Sequence, residues 1–358
     1  MRTLALCALL GLSPAASAET LETLSAFETK KVGDRVYAFL AQPTLSPLVS
    51  GNVTAVIGDD GVLLVDTGHF PSGTRRMLAR LRELTSQPVR FVVNTHWHPD
   101  HNTGNSVVRD AYPQAVIVST EATREAFETE LPKFEPKAMR QMLPVLREAL
   151  RTGKTPKGAP LTDEQRKRFS EMLQESDSAL PDLEQARHQA PSLAFTRELR
   201  LWLGKREVQV RFLGRGNTQG DAIVYVPDTK TLITGDLVVY PVPYAFGSFF
   251  GEWVKTMDAL LAIDAVAIVP GHGPVLHDKR YPQIVRDLLA SIAAQAKAAA
   301  ARGENAADAR GKLDLLALRD ELTHGDAELN KELDAFVLDP GFPRAYREAK
   351  EGPLKDEN

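Results

Sequence analysis

The feature that most constrains the fold is the heptapeptide Thr95-His96-Trp97-His98-Pro99-Asp100-His101, which directly follows an apolar run at residues 89–93. A short apolar run that ends in polar residues is typical of a buried strand that leads into a loop. Imidazole and carboxylate groups are good ligands for Zn²⁺ and similar divalent cations. The heptapeptide carries four such side chains, more than one tetrahedral ion with an open position needs. It therefore predicts the start of two neighbouring metal sites.

A histidine-rich surface loop is the alternative interpretation of this heptapeptide. We disfavour it because three of the chain's eight histidines lie here and because Pro99 stiffens the loop. The pattern His-x-His-x-Asp-His resembles the signature of the metallo-β-lactamase superfamily, a motif that further ligands downstream must support. The resemblance covers residues 32–120 and 195–280, roughly half of the chain.

The resemblance implies an α/β (α+β) fold, the αβ/βα four-layer sandwich, in which two mixed sheets pack face to face with helices outside. We expect a hydrolase domain at residues 19–284 with a helical insertion at about 121–192, followed by a helical C-terminal extension at 285–358. We expect the insertion to pack on a small core of its own, with a lid over the active site as the second interpretation. For the extension, packing and dimerisation both remain open.

Apolar periodicity predicts the individual elements. The predicted strands are 36–40, 52–57, 62–65, 89–93, 115–118, 199–203, 207–212, 222–226, 231–234 and 266–269. The predicted helices are 71–84, 105–110, 251–263, a long helix from 281 that ends at Gly303, 312–322 and 326–338.

Polar residues after other apolar strands extend the resemblance. Asp236 stands at the position of the family's bridging carboxylate, which can span two cations, and His272, between two glycines, resembles the family's last ligand. We interpret Asp66 as a hydrogen-bond partner of a ligand histidine, with a plain turn aspartate as the alternative. Because strands that end on one rim bring their loops together, we expect these residues to lie close to one another.

The sequence departs from the family at Asn217, where members usually carry a histidine. An amide oxygen is a weaker zinc ligand than imidazole. We therefore expect one or two Zn²⁺ ions per chain, the first site being weak, empty or filled by a different ion. The implied metal ligands are His96, His98 and Asn217 for the first site, Asp100, His101 and His272 for the second, and Asp236 for both. The glycines of segment 214–221 nearly match a dinucleotide-binding loop, but their spacing excludes that interpretation.

The implied function is zinc-dependent hydrolysis, in which metal-bound hydroxide attacks a carbonyl of a small cyclic amide or ester, as in β-lactamases. We expect Asp100 or Asp236 to orient the hydroxide, and Trp97 and Tyr240 to line the pocket. The Tyr240 hydroxyl either donates to the developing oxyanion or is buried packing. The alternatives are a lactonase, another esterase or thioesterase of the same superfamily, and a non-catalytic ligand-binding protein that has lost one metal ligand. A redox di-iron protein fits poorly, since no flavin-binding domain is visible.

The first 18 residues have the pattern of a cleavable signal peptide, with Arg2, an apolar stretch at 4–12 and Ala16-Ser17-Ala18. We expect a periplasmic or secreted protein without a membrane anchor after cleavage. Cys7 is the only cysteine, so the mature chain has neither a disulfide nor a thiolate ligand. A net charge of -4 argues against a nucleic-acid partner, so we expect a small-molecule substrate and leave the oligomeric state open.

Overall fold

Two mixed β-sheets form the centre of the chain. The computed structural model describes residues 20–43, 48–134, 136–355 and 357, so the predicted signal peptide lies outside the described residues. The first sheet has seven strands in the order β1 to β7, and the second has five in the order β12-β11-β10-β9-β8. The strands are β1 Phe27–Gly33, β2 Val36–Ala41, β3 Val53–Ile57, β4 Val62–Val65, β5 Val89–Val93, β6 Val116–Thr120, β7 Leu193–Phe195, β8 Glu198–Leu203, β9 Arg206–Phe212, β10 Ala222–Val226, β11 Thr231–Ile233 and β12 Ala267–Val269.

Each sheet changes from antiparallel to parallel pairing along its width. In the first sheet β1 to β4 are antiparallel and β4 to β7 are parallel. In the second sheet β8 to β11 are antiparallel and β11 pairs in parallel with β12. Parallel neighbours need a crossover, usually helical. The helices therefore lie on the outer faces of the sheets. The loops that follow β5, β11 and β12 carry six of the predicted ligands, and the loop that follows β4 carries Asp66.

The helices account for most of the remaining described residues. They are α1 Leu21–Leu24, α2 Pro71–Leu84, α3 Pro99–Asn102, α4 Asn105–Ala111, α5 Glu121–Thr129, α6 Pro136–Thr152, α7 Asp163–Leu183, α8 Phe250–Leu261, α9 Arg280–Ala301, α10 Ala306–Arg310, α11 Leu316–Thr323, α12 Ala327–Leu333 and α13 Asp339–Glu351. Short 3₁₀ turns occur at Leu131–Lys133 and Gly235–Leu237, and a π-helical turn at Asp334–Leu338 joins α12 to α13.

Three apolar clusters separate the four layers. Alternating residues of both sheets, such as Val65 and Val224, form the cluster between the sheets. The outer face of the first sheet packs on α2 and α4 through residues such as Met77 and Val108. The outer face of the second sheet packs on α8, α9 and the C-terminal helices. This arrangement confirms the predicted αβ/βα sandwich.

The predicted insertion is helical. Within it, α6 and α7 share a small core of Leu146, Ala149, Phe169 and Met172, and a capping box at Thr162 and Gln165 starts α7. The division of the chain into domains remains a prediction. Among the described residues, none of the helices combines the length and the apolar character that a membrane crossing requires.

Candidate metal centre

Six of the predicted metal ligands converge at one edge of the two sheets. The loops after β5, β11 and β12 deliver them, because the carboxyl ends of these strands point to the same edge. The ligand atoms fall into two groups, within each of which the atoms lie within 4.8 Å of one another. The first group is His96, His98 and Asp236, and the second is Asp100, His101 and His272.

The first cluster has the spacing of a metal site. His96 Nε2 lies 3.0 Å from His98 Nδ1 and 3.6 Å from Asp236 Oδ2. Ligand atoms of a tetrahedral zinc ion, each about 2.0–2.1 Å from the metal, are roughly 3.3 Å apart. The three side chains therefore surround a volume that suits one zinc ion.

The second cluster is equally compact. His101 Nε2 lies 3.2 Å from His272 Nε2 and 3.3 Å from Asp100 Oδ2, and His272 Nε2 lies 3.0 Å from the same oxygen. Asp236 stands between the clusters: its Oδ1 is 3.2 Å from His101 Nε2 and 3.6 Å from His272 Nε2. Asp236 is therefore placed to contact an ion in either cluster.

Hydrogen bonds on the far sides of the imidazole rings fix which nitrogen faces the site. His101 Nδ1 donates to Asp66 Oδ2 at 2.9 Å, which leaves Nε2 for the second cluster. Asp66 also accepts from Thr95 N and Thr95 Oγ1, both at 2.8 Å. The Thr95 hydroxyl lies 3.0 Å from His96 Nδ1. This pattern supports the interpretation of Asp66 as a partner of a ligand histidine rather than a plain turn residue.

The charges around His101 indicate that the centre requires a cation. Burial lowers the pKa of His101, but the carboxylates of Asp100, Asp236 and Asp66 outweigh it and raise that pKa well above its usual range. Burial raises the pKa of Asp236, and the neighbouring imidazolium charges, chiefly His101, hold it below its usual value. Two buried carboxylates and the partly exposed one of Asp100 surround this ring, and such a concentration of negative charge favours a compensating positive charge. A divalent ion would supply that charge and leave the histidines neutral.

Two buried oxygens lack the hydrogen bonds that burial normally demands. Among the described residues, none donates a hydrogen bond to Asn217 Oδ1 or Asp236 Oδ1, although His101 Nε2 lies 3.2 Å from the latter. Buried oxygens of this kind are nearly always satisfied in native proteins. A metal ion in contact with Asp236 would satisfy that carboxylate oxygen, so the residues of the two clusters fit the zinc that the sequence predicts.

A hydrogen bond from its amide nitrogen holds the side chain of Asn217 in place. Nδ2 donates to the backbone oxygen of Tyr244, and the side chain is buried, with 2% of its surface exposed. The unsatisfied Oδ1 is thus the atom free to contact a cation. Whether Asn217 is a ligand remains a prediction.

We expect Asn217→His to raise the zinc occupancy of the first cluster. An imidazole can donate one ring N–H to the Tyr244 oxygen and offer the other nitrogen to the metal, and imidazole is the stronger zinc ligand. The measurement is zinc per chain after dialysis against metal-free buffer. Unchanged zinc content would mean that position 217 does not face the site.

Two glycines let the backbone approach the ligands. A Cβ on Gly271 would lie 2.0 Å from Asp236 Oδ1, and one on Gly51 would lie 2.3 Å from His101 Cε1. No side chain can be accommodated at such distances. Asn52, next to Gly51, donates to Pro270 O at 3.0 Å and Gly273 O at 2.9 Å and so fastens the loop that carries His272.

The two aromatic residues predicted to line the pocket lie in different surroundings, and their roles remain predictions. The indole of Trp97 is 4% exposed and packs with Phe127 and Leu131 of the insertion. The ring of Tyr240 packs on Tyr281 at 4.9 Å between centroids, and Tyr240 is 39% exposed. The tyrosine whose ring packs on a ligand is Tyr244, with its centroid 5.5 Å from that of His272.

Tyr244 offers a hydroxyl that stays protonated. Burial raises the pKa of Tyr244, and the charges of Asp236 and Asp100 raise it further. A phenol in that state can donate a hydrogen bond to charge that develops on a substrate oxygen. No local pattern in the sequence points to this residue, because it lies eight positions after Asp236 in a segment without a motif.

We expect Tyr244→Phe to lower kcat by about 10²-fold, the size of effect seen when one oxyanion donor is removed. Tyr240→Phe is the matched control and should leave kcat within about twofold, because surface changes are usually small. Steady-state kinetics on both variants checks this. A large loss of kcat in Tyr240→Phe with none in Tyr244→Phe would assign the donor role to Tyr240, as the sequence predicts.

The fold and the two clusters agree with a match to a known protein family. Residues 46–272 match the family described as the metallo-beta-lactamase superfamily. The chain belongs to this superfamily.

Individual relatives agree with this assignment. The chain is 29% identical over 236 residues to a linear primary-alkylsulfatase from Pseudomonas sp. (strain ATCC 19151), a match that covers 63% of this chain and 42% of the relative. The chain thus matches less than half of that relative's length.

Solved structures share the fold. A metallo-beta-lactamase from Pontibacter korlensis has 21% identity and a TM-score of 0.50, and the match covers 74% of this chain and 99% of that one. The DIM-1 metallo-beta-lactamase exposed to ceftazidime has 16% identity and a TM-score of 0.51, with 77% and 99% covered.

Proposed function

We propose that the chain is a zinc-dependent hydrolase that cleaves a small cyclic amide or an ester with the help of two neighbouring metal sites. The observation that carries the proposal is the pair of ligand clusters on either side of Asp236, whose Oδ1 lies 3.2 Å from His101 and whose Oδ2 lies 3.6 Å from His96. When bound, zinc ions acidify a coordinated water and polarise the bond that is attacked.

The protein's own groups prepare the site for this chemistry. Asp66 and Thr95 hold His101 and His96 in the tautomers that direct their Nε2 atoms inward. Asp100 and Asp236 are the carboxylates that can accept a proton or orient an attacking water. Tyr244 can donate to the oxygen on which charge develops. Because water is the nucleophile in this route, the reaction needs no nucleophilic side chain of the protein.

A cavity beside the metal centre supports a substrate with an apolar part. It has a volume of about 390 Å³ and lies between the insertion helices and α3, the helix that carries Asp100 and His101. Phe127, Leu131, Met139 and Leu183 contribute apolar walls, and Pro99, the residue before Asp100, also lines the cavity. The insertion thus shapes the surroundings of the centre, in line with the lid interpretation.

A sulfate ester is the second candidate for the bond that is cleaved. The observation that favours it is the 29% identity to a linear primary-alkylsulfatase. The apolar walls of this cavity suit the alkyl part of such a substrate as well as they suit a carboxylic ester, and Lys137, Arg140 and Arg187 in its lining carry positive charge. The match covers 42% of that relative, so its activity is a proposal for this chain.

A substrate panel tests the proposal and separates the candidates. Zinc-loaded protein is offered a chromogenic cephalosporin, a set of lactones, p-nitrophenyl acyl esters and alkyl sulfates of increasing chain length. We expect hydrolysis of at least one class, abolished by chelation and restored by zinc. Cleavage of the alkyl sulfates alone would select the second candidate. A protein that binds zinc and hydrolyses none of them would favour the non-catalytic binding alternative.

We further propose that the mature protein works in the periplasm or outside the cell and acts on a small molecule. This proposal depends on the signal-peptide pattern of residues 1–18. Detection of the processed protein in a periplasmic fraction would test it.

A further inference from the structure

The segment that follows α13 returns to the metal centre. We call its described residues, 352–355 and 357, the tail segment. Arg215 Nη1 donates to Leu354 O at 2.7 Å, and a Cβ on Gly247 would lie 3.1 Å from Glu357 Cβ. The tail segment therefore runs close over the loops that surround Asn217 and Tyr244.

The carboxylate of Glu357 joins two of these loops. Its Oε2 accepts from Trp97 Nε1 at 2.9 Å, and its Oε1 accepts from Gln219 N at 2.8 Å. Trp97 stands between the ligands His96 and His98, and Gln219 is two residues beyond Asn217. One side chain thus connects the two loops that would hold an ion in the first cluster.

The carboxylate of Glu357 loses part of its hydration when it makes these two contacts. Burial raises the pKa of Glu357, while its hydrogen bonds from Gln219 and Trp97 act in the opposite direction. A surface carboxylate would avoid that cost, so the position of Glu357 requires a compensating contact. The two hydrogen bonds described above supply it, and both donors belong to loops of the first cluster.

We propose that Glu357 is a positioning residue for the first metal cluster. It fixes the separation between the His96–His98 pair and Asn217, and so determines how well that cluster binds a divalent cation. The inference rests on the proposed function, in which the first cluster holds a metal. A site that contains a weak ligand such as an amide oxygen depends strongly on the geometry of its supporting contacts.

The test measures metal binding, not turnover. Metal-free full-length protein is titrated with Co²⁺ and followed by calorimetry and by the visible absorption of the bound ion. His98→Ala identifies which absorption bands belong to the first cluster. We expect Glu357→Gln to weaken Co²⁺ binding at that cluster by about 10–100-fold, the range found for outer-shell partners of metal ligands, with the second cluster unchanged.

The choice of variants follows from the contacts. In Glu357→Gln one amide N–H group meets an N–H donor, so one loop is released while the volume is kept. Glu357→Asp shortens the side chain by one methylene and serves as the second variant if the first does not fold. Glu348→Gln is the matched control, because Glu348 accepts from Gly251 N at 3.1 Å at the start of α8, and Co²⁺ binding should be unaffected.

The outcomes separate this inference from the proposed function. Two Co²⁺ ions bound with equal affinity and spectrum in wild type and Glu357→Gln would overturn the inference and leave the hydrolase proposal intact. Equal losses of Co²⁺ affinity in Glu357→Gln and Glu348→Gln would also overturn the inference, since the loss would then not depend on the contacts of Glu357. Wild-type protein that binds no Co²⁺ at all would contradict the proposed function itself.

Discussion

Asp236→Asn is expected to lower kcat/KM by more than about 100-fold, beyond the 10–100-fold typical of a lost outer-shell partner. Asp236 is 2% exposed and is the carboxylate that both clusters share, with Oδ2 3.6 Å from His96 and Oδ1 3.2 Å from His101. The substitution keeps the shape but removes the charge that compensates two cations. Kinetics on the best substrate of the panel, together with zinc per chain, measures the effect.

A buried aspartate elsewhere provides the control for this variant. Asp182 is 3% exposed and accepts hydrogen bonds from Ser72 N at 3.2 and 3.0 Å at the start of α2. Asp182→Asn should lower stability without changing zinc content. If Asp236→Asn kept full activity and zinc, Asp236 would not be a metal ligand and the two-site description would be wrong.

Asp66→Asn has the second-largest expected effect, a loss of about 10–100-fold in zinc affinity or in kcat/KM. Asp66 fixes the His101 ring through a 2.9 Å hydrogen bond and accepts two more from Thr95. Its backbone has a φ of 61°, a left-handed conformation that asparagine tolerates better than most residues. The loss therefore reports on the side chain rather than on backbone strain.

The zinc affinity of the second cluster is the measurement for this variant. Asparagine accepts through one oxygen only, so its amide cannot keep all three hydrogen bonds: its N–H group would face either Thr95 N or the pair Thr95 Oγ1 and His101 Nδ1. We expect weaker binding in the cluster that contains His101, with Asp182→Asn again as the control. If Asp66→Asn bound zinc with wild-type affinity, Asp66 would be a turn residue and not a supporting partner of His101.

The ligand set was predictable from the sequence because each ligand belongs to a local pattern. A short apolar strand followed at once by a polar residue recurs at Asp66, at the His96–His101 loop, at Asp236 and at His272. Strand polarity then determines which edge these residues share. The fold could be predicted for the same reason, since the periodicity of the strands and of α2 is strong in the sequence.

Contacts between segments that are far apart in the sequence could not be predicted from local patterns of this kind. Trp97 and Glu357 are 260 positions apart, and neither residue belongs to a pattern that specifies the other. The position of Tyr244 beside His272 depends on how the loop after β11 folds back. These contacts arise from tertiary packing, which a single sequence does not encode locally.

Among the elements that the sequence did not predict, three were missed for identifiable reasons. β1 is an edge strand with charged Lys30 and Lys31, and β7 has three residues, so neither shows clear periodicity. α13 begins at Asp339-Pro340 and contains Pro343. Prolines normally suggest the end of a helix, yet they are tolerated in its first turn.

We expect this superfamily member to bind zinc in two unequal sites. The experiment to make first is the identity and stoichiometry of the bound metal, measured on protein purified without added metal and again after zinc titration. We expect one zinc ion per chain to be retained through dialysis, in the cluster of Asp100, His101 and His272, and a second ion to bind on titration. A protein that retains no metal and binds no zinc when it is offered, or that holds iron instead, would show that this description of the site is wrong.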